Sequence, residues 1–70
     1  MMLENRVREL RARFRWIQQD LADAIGVTRQ TIGLIEKSDY SPSVTMALKI
    51  AAVFQVTVEE VFYLKGEERL

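Results

Sequence analysis

Hydrophobic positions along the chain recur with helical spacing almost throughout. Leu3, Val7, Leu10 and Phe14 are separated by four, three and four residues, which predicts a first helix over Met2 to Phe14. Leu21, Ala22 and Ile25 share one face of a second helix, and Gly26 comes directly after. Glycine tolerates the left-handed conformation that ends a helix and turns the chain. Thr28 is a good N-cap for a third helix, whose buried side is Ile32 and Ile35. Only Gly26, Val27 and Thr28 separate the two helices, so they must cross steeply. The stretch 18–37 is therefore a helix-turn-helix, with about 28–37 as its second helix.

Past it the pattern breaks at Ser38–Ser43, a loop by composition. Pro42 disfavours helix at Ser41, and Ser43 can cap a fourth helix. Val44, Ala47, Leu48, Ala51 and Phe54 form its stripe, widened almost to full circle by Met46, Ile50 and Val53. A helix so apolar is expected at the centre of the fold. Thr57 and Glu60 have the spacing of a capping box and open a fifth helix. In it Val58, Val61 and Phe62 face inward, Tyr63 and Leu64 face outward, and Gly66 ends the element. Glu67–Leu70 reads as a frayed tail. With no strand-like alternation, the fold class expected is all-α: one five-helix domain over 1–70.

The joint between the first two helices is unusual. Arg15-Trp16-Ile17 holds neither a glycine to stop one helix nor a polar side chain to cap the next. Trp16 is assigned to core packing between helices one and two.

Composition narrows the functions. Seventy residues suit a single core. Cysteine and histidine are both absent, which removes disulfides, thiol nucleophiles, the commonest general base and most zinc chemistry. No enzyme, cofactor or metal is expected. No apolar run nears the ~20 residues of a membrane span, so a cytoplasmic protein is expected. Net charge is zero, unlike the strongly basic domains typical of nucleic-acid binders. The charges are unevenly spread, however. Residues 1–37 hold seven basic and five acidic side chains, and 38–70 hold three and five. The excess of positive charge lies with the helix-turn-helix.

On the third helix Arg29, Gln30, Gly33 and Lys37 share the flank opposite the core. Arg can bond guanine O6 and N7, and Gln can bond adenine N6 and N7. An isolated Arg-Gln pair is ordinarily a solvated face; directly after Gly-Val-Thr it has the position of a major-groove reader. Gly33 costs the helix roughly 1 kcal/mol, and is either a close approach to DNA or a packing concession. Leu34 either touches a thymine methyl or packs under the loop near Tyr40, and we favour the loop. Gln18 opens the second helix, where free N–H groups attract phosphate. Arg11 and Glu36 each lie roughly 70° from their core stripes, and we pair them across helices one and three.

These residues carry a resemblance. Gln18, Leu21-Ala22, Gly26-Val27-Thr28-Arg29-Gln30-Thr31-Ile32, Ile35-Glu36, Pro42-Ser43 and Leu48-Lys49-Ile50-Ala51 resemble the lambda-repressor-like, Cro-type helix-turn-helix regulators of the xenobiotic-response-element group. The resemblance covers nearly the whole chain. It implies base contacts from Arg29 and Gln30, phosphate contacts from Gln18 and near Ser38–Ser43, there Tyr40, Ser41 and Ser43, and an Arg11–Glu36 ion pair. To these expected contacts we add Gly33 at the bases and Thr28, Thr31 and Lys37 at the phosphates. The resemblance also implies a homodimer on double-stranded DNA, a palindromic operator above all, and most often a repressor. Family members commonly have Gly, a hydrophobic residue, then Ser or Thr where this chain has Arg15, Trp16 and Ile17, and Gly where it has Gln55. The dimer surface expected is the fifth helix through Tyr63 and Leu64, extended by Met46 or Val53 and closed by Leu70. The competing function is a protein-interaction module, such as an antitoxin or anti-repressor, which a neutral charge mildly favours.

Overall fold

The computed structural model describes residues 2–66 and opens on a strand, not a helix. β1 (Met2–Asn5) pairs antiparallel with β2 (Phe62–Lys65), with Leu3 opposite Leu64 and Asn5 opposite Phe62. Between them run α1 (Val7–Phe14), α2 (Gln18–Ile25), α3 (Arg29–Glu36), α4 (Val44–Phe54) and α5 (Val58–Val61). The five helices are present, and the sheet joins the two ends of the described chain. Expectations for Glu67–Leu70, including any part played by Leu70, fall outside the described residues.

Both ends differ from the all-helical expectation. The first helix begins at Val7, because Asn5 turns the chain there: its side-chain oxygen accepts the Val7 N–H at 3.1 Å. The Asn5 amide nitrogen donates to the Ile35 carbonyl at 2.9 Å, and the Arg6 N–H bonds the Val61 carbonyl at 2.8 Å. Leu3 thus reaches the core from a strand rather than from a helical stripe. The fifth helix lasts only four residues; Phe62 turns to extended backbone, which puts Tyr63 and Leu64 on β2. The Thr57–Glu60 capping box is present, with Thr57 Oγ1 accepting from the Glu60 N–H at 3.3 Å and Glu60 Oε1 from the Thr57 N–H at 2.8 Å. The Arg6 guanidinium lies over the Tyr63 ring, 4.5 Å from its centroid.

The core is built from Val7, Leu10, Leu21, Ala22, Ile25, Ile32, Ile35, Ile50, Ala51, Phe54, Val61 and Phe62. α4 is less central than its composition suggests. Its Ile50, Ala51 and Phe54 are buried, while Val44 is 77% and Leu48 55% exposed. These two lie one turn apart on a flank that nothing among the described residues covers. Phe14 is also largely exposed; its ring meets Phe54 at 5.2 Å and Trp16 at 5.7 Å. Trp16, packed on the core as expected from its place at the α1–α2 joint, lies 5.7 Å from Phe54 as well and so also ties α4 to the end of α1.

Three residues other than glycine adopt left-handed backbone: Arg15 (φ 57°), Ser38 (φ 63°) and Gln55 (φ 58°). Each ends a helix. After α1 the Trp16 N–H bonds the Arg11 carbonyl at 2.9 Å and the Arg15 N–H bonds that of Ala12 at 3.1 Å, the paired bonds of a Schellman motif. After α4, Val56 bonds Ala51 and Gln55 bonds Ala52 in the same way, each at 3.0 Å. Such positions favour glycine, which has no Cβ to clash with the carbonyl. Ile17, at the N-cap of α2, supplies no acceptor; its own N–H is held by Asp20 Oδ2 at 2.9 Å. We expect Arg15→Gly and Gln55→Gly each to stabilise the fold by roughly 0.5–1 kcal/mol. That would raise Tm by several degrees for a domain this small, readable by thermal denaturation followed by circular dichroism. Unchanged or lower Tm values would show that these sites carry no strain.

Candidate nucleic-acid interface

The helix-turn-helix is set by local chemistry at its turn. Gly26 takes φ 78°, and its N–H and that of Val27 bond the Ala22 carbonyl at 2.9 and 3.0 Å. Thr28 Oγ1 then accepts the Thr31 N–H at 3.3 Å and starts α3. The two hydroxyls, Thr28 Oγ1 and Thr31 Oγ1, lie 3.1 Å apart. Ile32 and Ile35, fully buried, fix the rotation of α3, so that Arg29, Gln30 and Lys37 face outward.

With α2 beside it, α3 forms an open cleft of about 440 Å³ lined by Gln18, Arg29, Gln30, Gly33, Leu34 and Lys37. Among the described residues, neither Arg29 nor Gln30 uses its side-chain donors on another side chain. A second hollow of about 280 Å³ adjoins it, sharing Gln18, Gly33 and Lys37 and adding Arg8, Arg11 and Glu36. Cations therefore run from Arg8 past Lys37 to Arg29. Glu36, the acid among these lining residues, is neutralised by Arg11. Clefts lined by one sign of charge concentrate the field despite a zero total.

Beneath this surface lies the tightest polar cluster in the described chain. Arg11 Nε donates to Glu36 Oε2 at 2.6 Å and Arg11 Nη2 to Glu36 Oε1 at 3.1 Å, a two-pronged pair. Arg11 Nη1 donates to the Trp16 carbonyl at 2.9 Å. Gln18 Nε2 donates to Glu36 Oε1 at 3.1 Å. The Arg11 and Glu36 side chains are only 14% and 7% exposed. The Gln18 amide is thereby laid across α3 above Gly33. A methyl on Gly33 would sit 3.7 Å from Gln18 Nε2 and 4.0 Å from Oε1, ordinary contact, so nothing in the fold itself requires glycine there.

The sequence-expected residues divide by place. Gln18, Arg29, Gln30, Gly33 and Lys37 meet in the cleft. Thr28 and Thr31 stand at the start of α3, bonded to each other. Ser43 lies in another small hollow, with Gly26, Val27 and Lys49, and its oxygen accepts the Met46 N–H at 3.1 Å as the cap of α4. Tyr40 and Ser41 are exposed in the loop and line neither part of the cleft. Two further residues join this surface. Arg8 stands on α1 one turn before Arg11, and that spacing is its only signal in the sequence. Leu34, expected under the loop, is 44% exposed and lines the cleft. Among the described residues no cluster of three metal-binding side chains occurs, and no helix is long and apolar enough to cross a membrane.

Comparisons with known proteins agree with this geometry. The sequence pattern of the helix-turn-helix family matches residues 7–61. The uncharacterized HTH-type transcriptional regulator YgzD of Bacillus subtilis is 51% identical over 65 residues, which cover 93% of this chain and 98% of that one. An uncharacterized HTH-type transcriptional regulator of Archaeoglobus fulgidus is 42% identical over 66 residues, covering 94% and 93% of the two chains. The crystal structure of a putative DNA-binding protein from Bacteroides fragilis matches with a TM-score of 0.79 at 24% identity. That match covers 89% of this chain and 100% of the other, and is a likeness of fold. The chain belongs to the Cro/C1-type helix-turn-helix family.

The energetic weight of the buried pair can be measured. Glu36→Ala leaves the Arg11 guanidinium enclosed without its carboxylate, and should cost roughly 3 kcal/mol. Glu59→Ala, at an exposed site, should stay within about 0.5 kcal/mol of wild type. Urea denaturation of the two variants checks this; equal midpoints would show that the pair is not needed by the fold.

Proposed function

We propose that this domain is a sequence-specific reader of double-stranded DNA that represses transcription in the cytoplasm as a homodimer, with α3 in the major groove. The observation that supports it best is the cleft itself, where the free donors of Arg29 and Gln30 share a surface with Gln18 and Lys37 that the adjoining hollow extends to Arg8. The first turn of a recognition helix is where base edges are met. Arg29 bonds a guanine and Gln30 an adenine. Gly33 lets the backbone come close to the bases, in keeping with the lack of any internal need for glycine there. Gln18, Thr28, Thr31 and Lys37 bond phosphates on either side. Tyr40, Ser41 and Ser43 reach phosphates further along, through hydroxyl and backbone groups. Such contacts set orientation and carry no sequence information. A regulator seated in the groove keeps other proteins from the same DNA, which makes repression the simplest outcome.

Dimerisation is argued from the small size of this reading surface. One α3 spans only a few base pairs, too few for useful selectivity. Two copies on a palindrome, about one DNA turn apart, double the information. The surface we assign is β2 rather than a helix, since Leu64 is 63% exposed there with Tyr63 beside it. Met46 and Val53, expected to extend it, are partly buried against the monomer core.

Two experiments test this. In anisotropy titrations on an operator selected from random DNA, Arg29→Ala and Gln30→Ala should each lose about 1–3 kcal/mol and relax selectivity at one base pair. Wild-type affinity should fall steeply with salt. Folded variants with full affinity would remove the base-reading assignment, and a flat salt response would turn the function toward a protein partner. In sedimentation equilibrium the wild type should associate to a dimer and Leu64→Glu should remain monomeric. A wild type monomeric at high concentration defeats the dimer, whereas a dimer that survives Leu64→Glu defeats only its location.

A further inference from the structure

We propose that Asn5 is a positioning residue for DNA reading, whose side-chain amide fixes the C-terminal end of α3; this rests on α3 reading DNA in the major groove. Asn5 is the last residue of β1 and stands opposite Phe62 of β2. It is half-buried, and its amide is used at both ends. The oxygen accepts the Val7 N–H at 3.1 Å, at the first residue of α1. The nitrogen donates to the Ile35 carbonyl at 2.9 Å, in the last turn of α3 and 30 residues further along the chain. Turned over, the amide would set its NH2 against an N–H and its oxygen against a carbonyl, so one orientation alone serves both partners. The Ile35 carbonyl also accepts the Ser38 N–H at 3.0 Å, and its two lone pairs have room for both.

The end of α3 is thus pinned at two consecutive residues, Ile35 by Asn5 and Glu36 by Arg11. The two pins differ in stiffness. Arg11 and Glu36 meet through long side chains, whereas Asn5 is short and holds the α3 main chain itself. Without the bond at Ile35, Glu36 alone ties α3 to α1, and the apolar contacts of Ile32 and Ile35 set depth rather than direction. Arg29 lies about 9 Å along the axis from Ile35. A tilt of about 10° at that end moves the Arg29 backbone by roughly 1.5 Å. Hydrogen bonds keep their strength over a range of only about 0.5 Å. Base-edge bonds from Arg29 and Gln30 therefore need the end of α3 to be set before DNA arrives, and order that is present beforehand is not lost again on binding.

The test uses Asn5→Asp and Asn5→Ser. Both keep an oxygen for the Val7 N–H; Asp has no donor for the Ile35 carbonyl, and Ser is too short to span both partners. Kd is measured on the selected operator and on a scrambled duplex of the same length, at a temperature where circular dichroism shows each variant fully folded. Both variants should lose about fivefold on the operator, the worth of one hydrogen bond. On the scrambled duplex, where phosphate attraction dominates, they should lose less than about twofold. A purely structural role lowers both affinities alike, and an unchanged ratio in the two variants overturns the inference while leaving DNA reading intact. A second readout needs no variant. In wild type the scalar coupling across the hydrogen bond, from Asn5 Nδ2 to the Ile35 carbonyl carbon, should be present both free and on the operator. Its absence on the operator overturns the inference, whether or not the variants fold. If random DNA yields no operator, DNA reading itself fails and this inference falls with it.

Discussion

The Arg11–Glu36 pair is the constraint on which the arrangement of the first three helices depends. One guanidinium reaches the end of α3 through two nitrogens and the α1–α2 joint through the third, at the Trp16 carbonyl. The carboxylate in turn holds the Gln18 amide. Three helices and a connection are thus fixed by one pair of side chains. Apolar packing alone would set their approach but leave their rotation looser, since leucine and isoleucine contacts have no direction. Directional bonds remove that freedom. Removing charges from water is costly, so such a pair adds less net stability than its short distances suggest. Its value here is in orientation: Gln18 and the outer flank of α3 stand on one surface because Glu36 joins them from beneath.

The helix-turn-helix was legible because its determinants are local. Gly26, Thr28 and the spacing of Leu21, Ile25, Ile32 and Ile35 lie within fifteen residues, and each acts on its neighbours in sequence. The ends were not, because β1 exists only through β2. Leu3 at helical spacing from Val7 cannot be told from Leu3 opposite Leu64 until the chain has folded. One local signal was available: Asn5, a residue that caps and turns, stands two positions before Val7. The same limit shaped α4. Its composition promised burial on every side, but a short chain has too few elements to cover four faces, and Val44 and Leu48 are left outside. Within the cleft, Arg29 and Gln30 were legible from type and position. For Leu34 the sequence leaves two readings, a thymine methyl or the loop, and the loop is favoured because an apolar side chain on a helix usually packs; its place in the cleft needs the folded chain.

The three left-handed non-glycine residues show a different balance. Arg15, Ser38 and Gln55 occupy helix ends where the chain must reverse, and the bonds that close those ends are made regardless. The conformational cost is carried by the whole fold and amounts to about 1–2 kcal/mol at each site. A domain of this size has only a few kcal/mol of net stability. The Arg11 pair and the Thr28, Ser43 and Thr57 caps offset part of that cost. Arg15 also comes after Arg8, Arg11 and Arg13 in a segment that is rich in cations. A glycine there would relax the backbone and remove a positive charge from the half of the chain that faces the proposed DNA.

Retaining that charge matters for a neutral chain that presents a surface to a polyanion. Total charge governs solubility and attraction at distances beyond the screening length, about 8 Å in physiological salt. Within that range only the nearby charges count. Around the cleft these are Arg8, Lys37 and Arg29, with Glu36 already paired. Asp20 and Asp23, the acids of α2, keep their charge but line neither hollow; they accept from the Ile17 N–H at 2.9 Å and the Gln19 amide at 2.8 Å. Glu59 and Glu60 stand on α5 and line neither hollow, and Glu60 is engaged in its own cap. A DNA-facing site is thus compatible with zero net charge when the acid that lines it, Glu36, is paired and its bases are free. The consequence is kinetic as well as energetic. Without a global positive field, long-range steering toward DNA is weak, so non-specific binding should be modest, and on the proposed reading discrimination comes from short-range groups, the fork of Arg29 and the amide of Gln30.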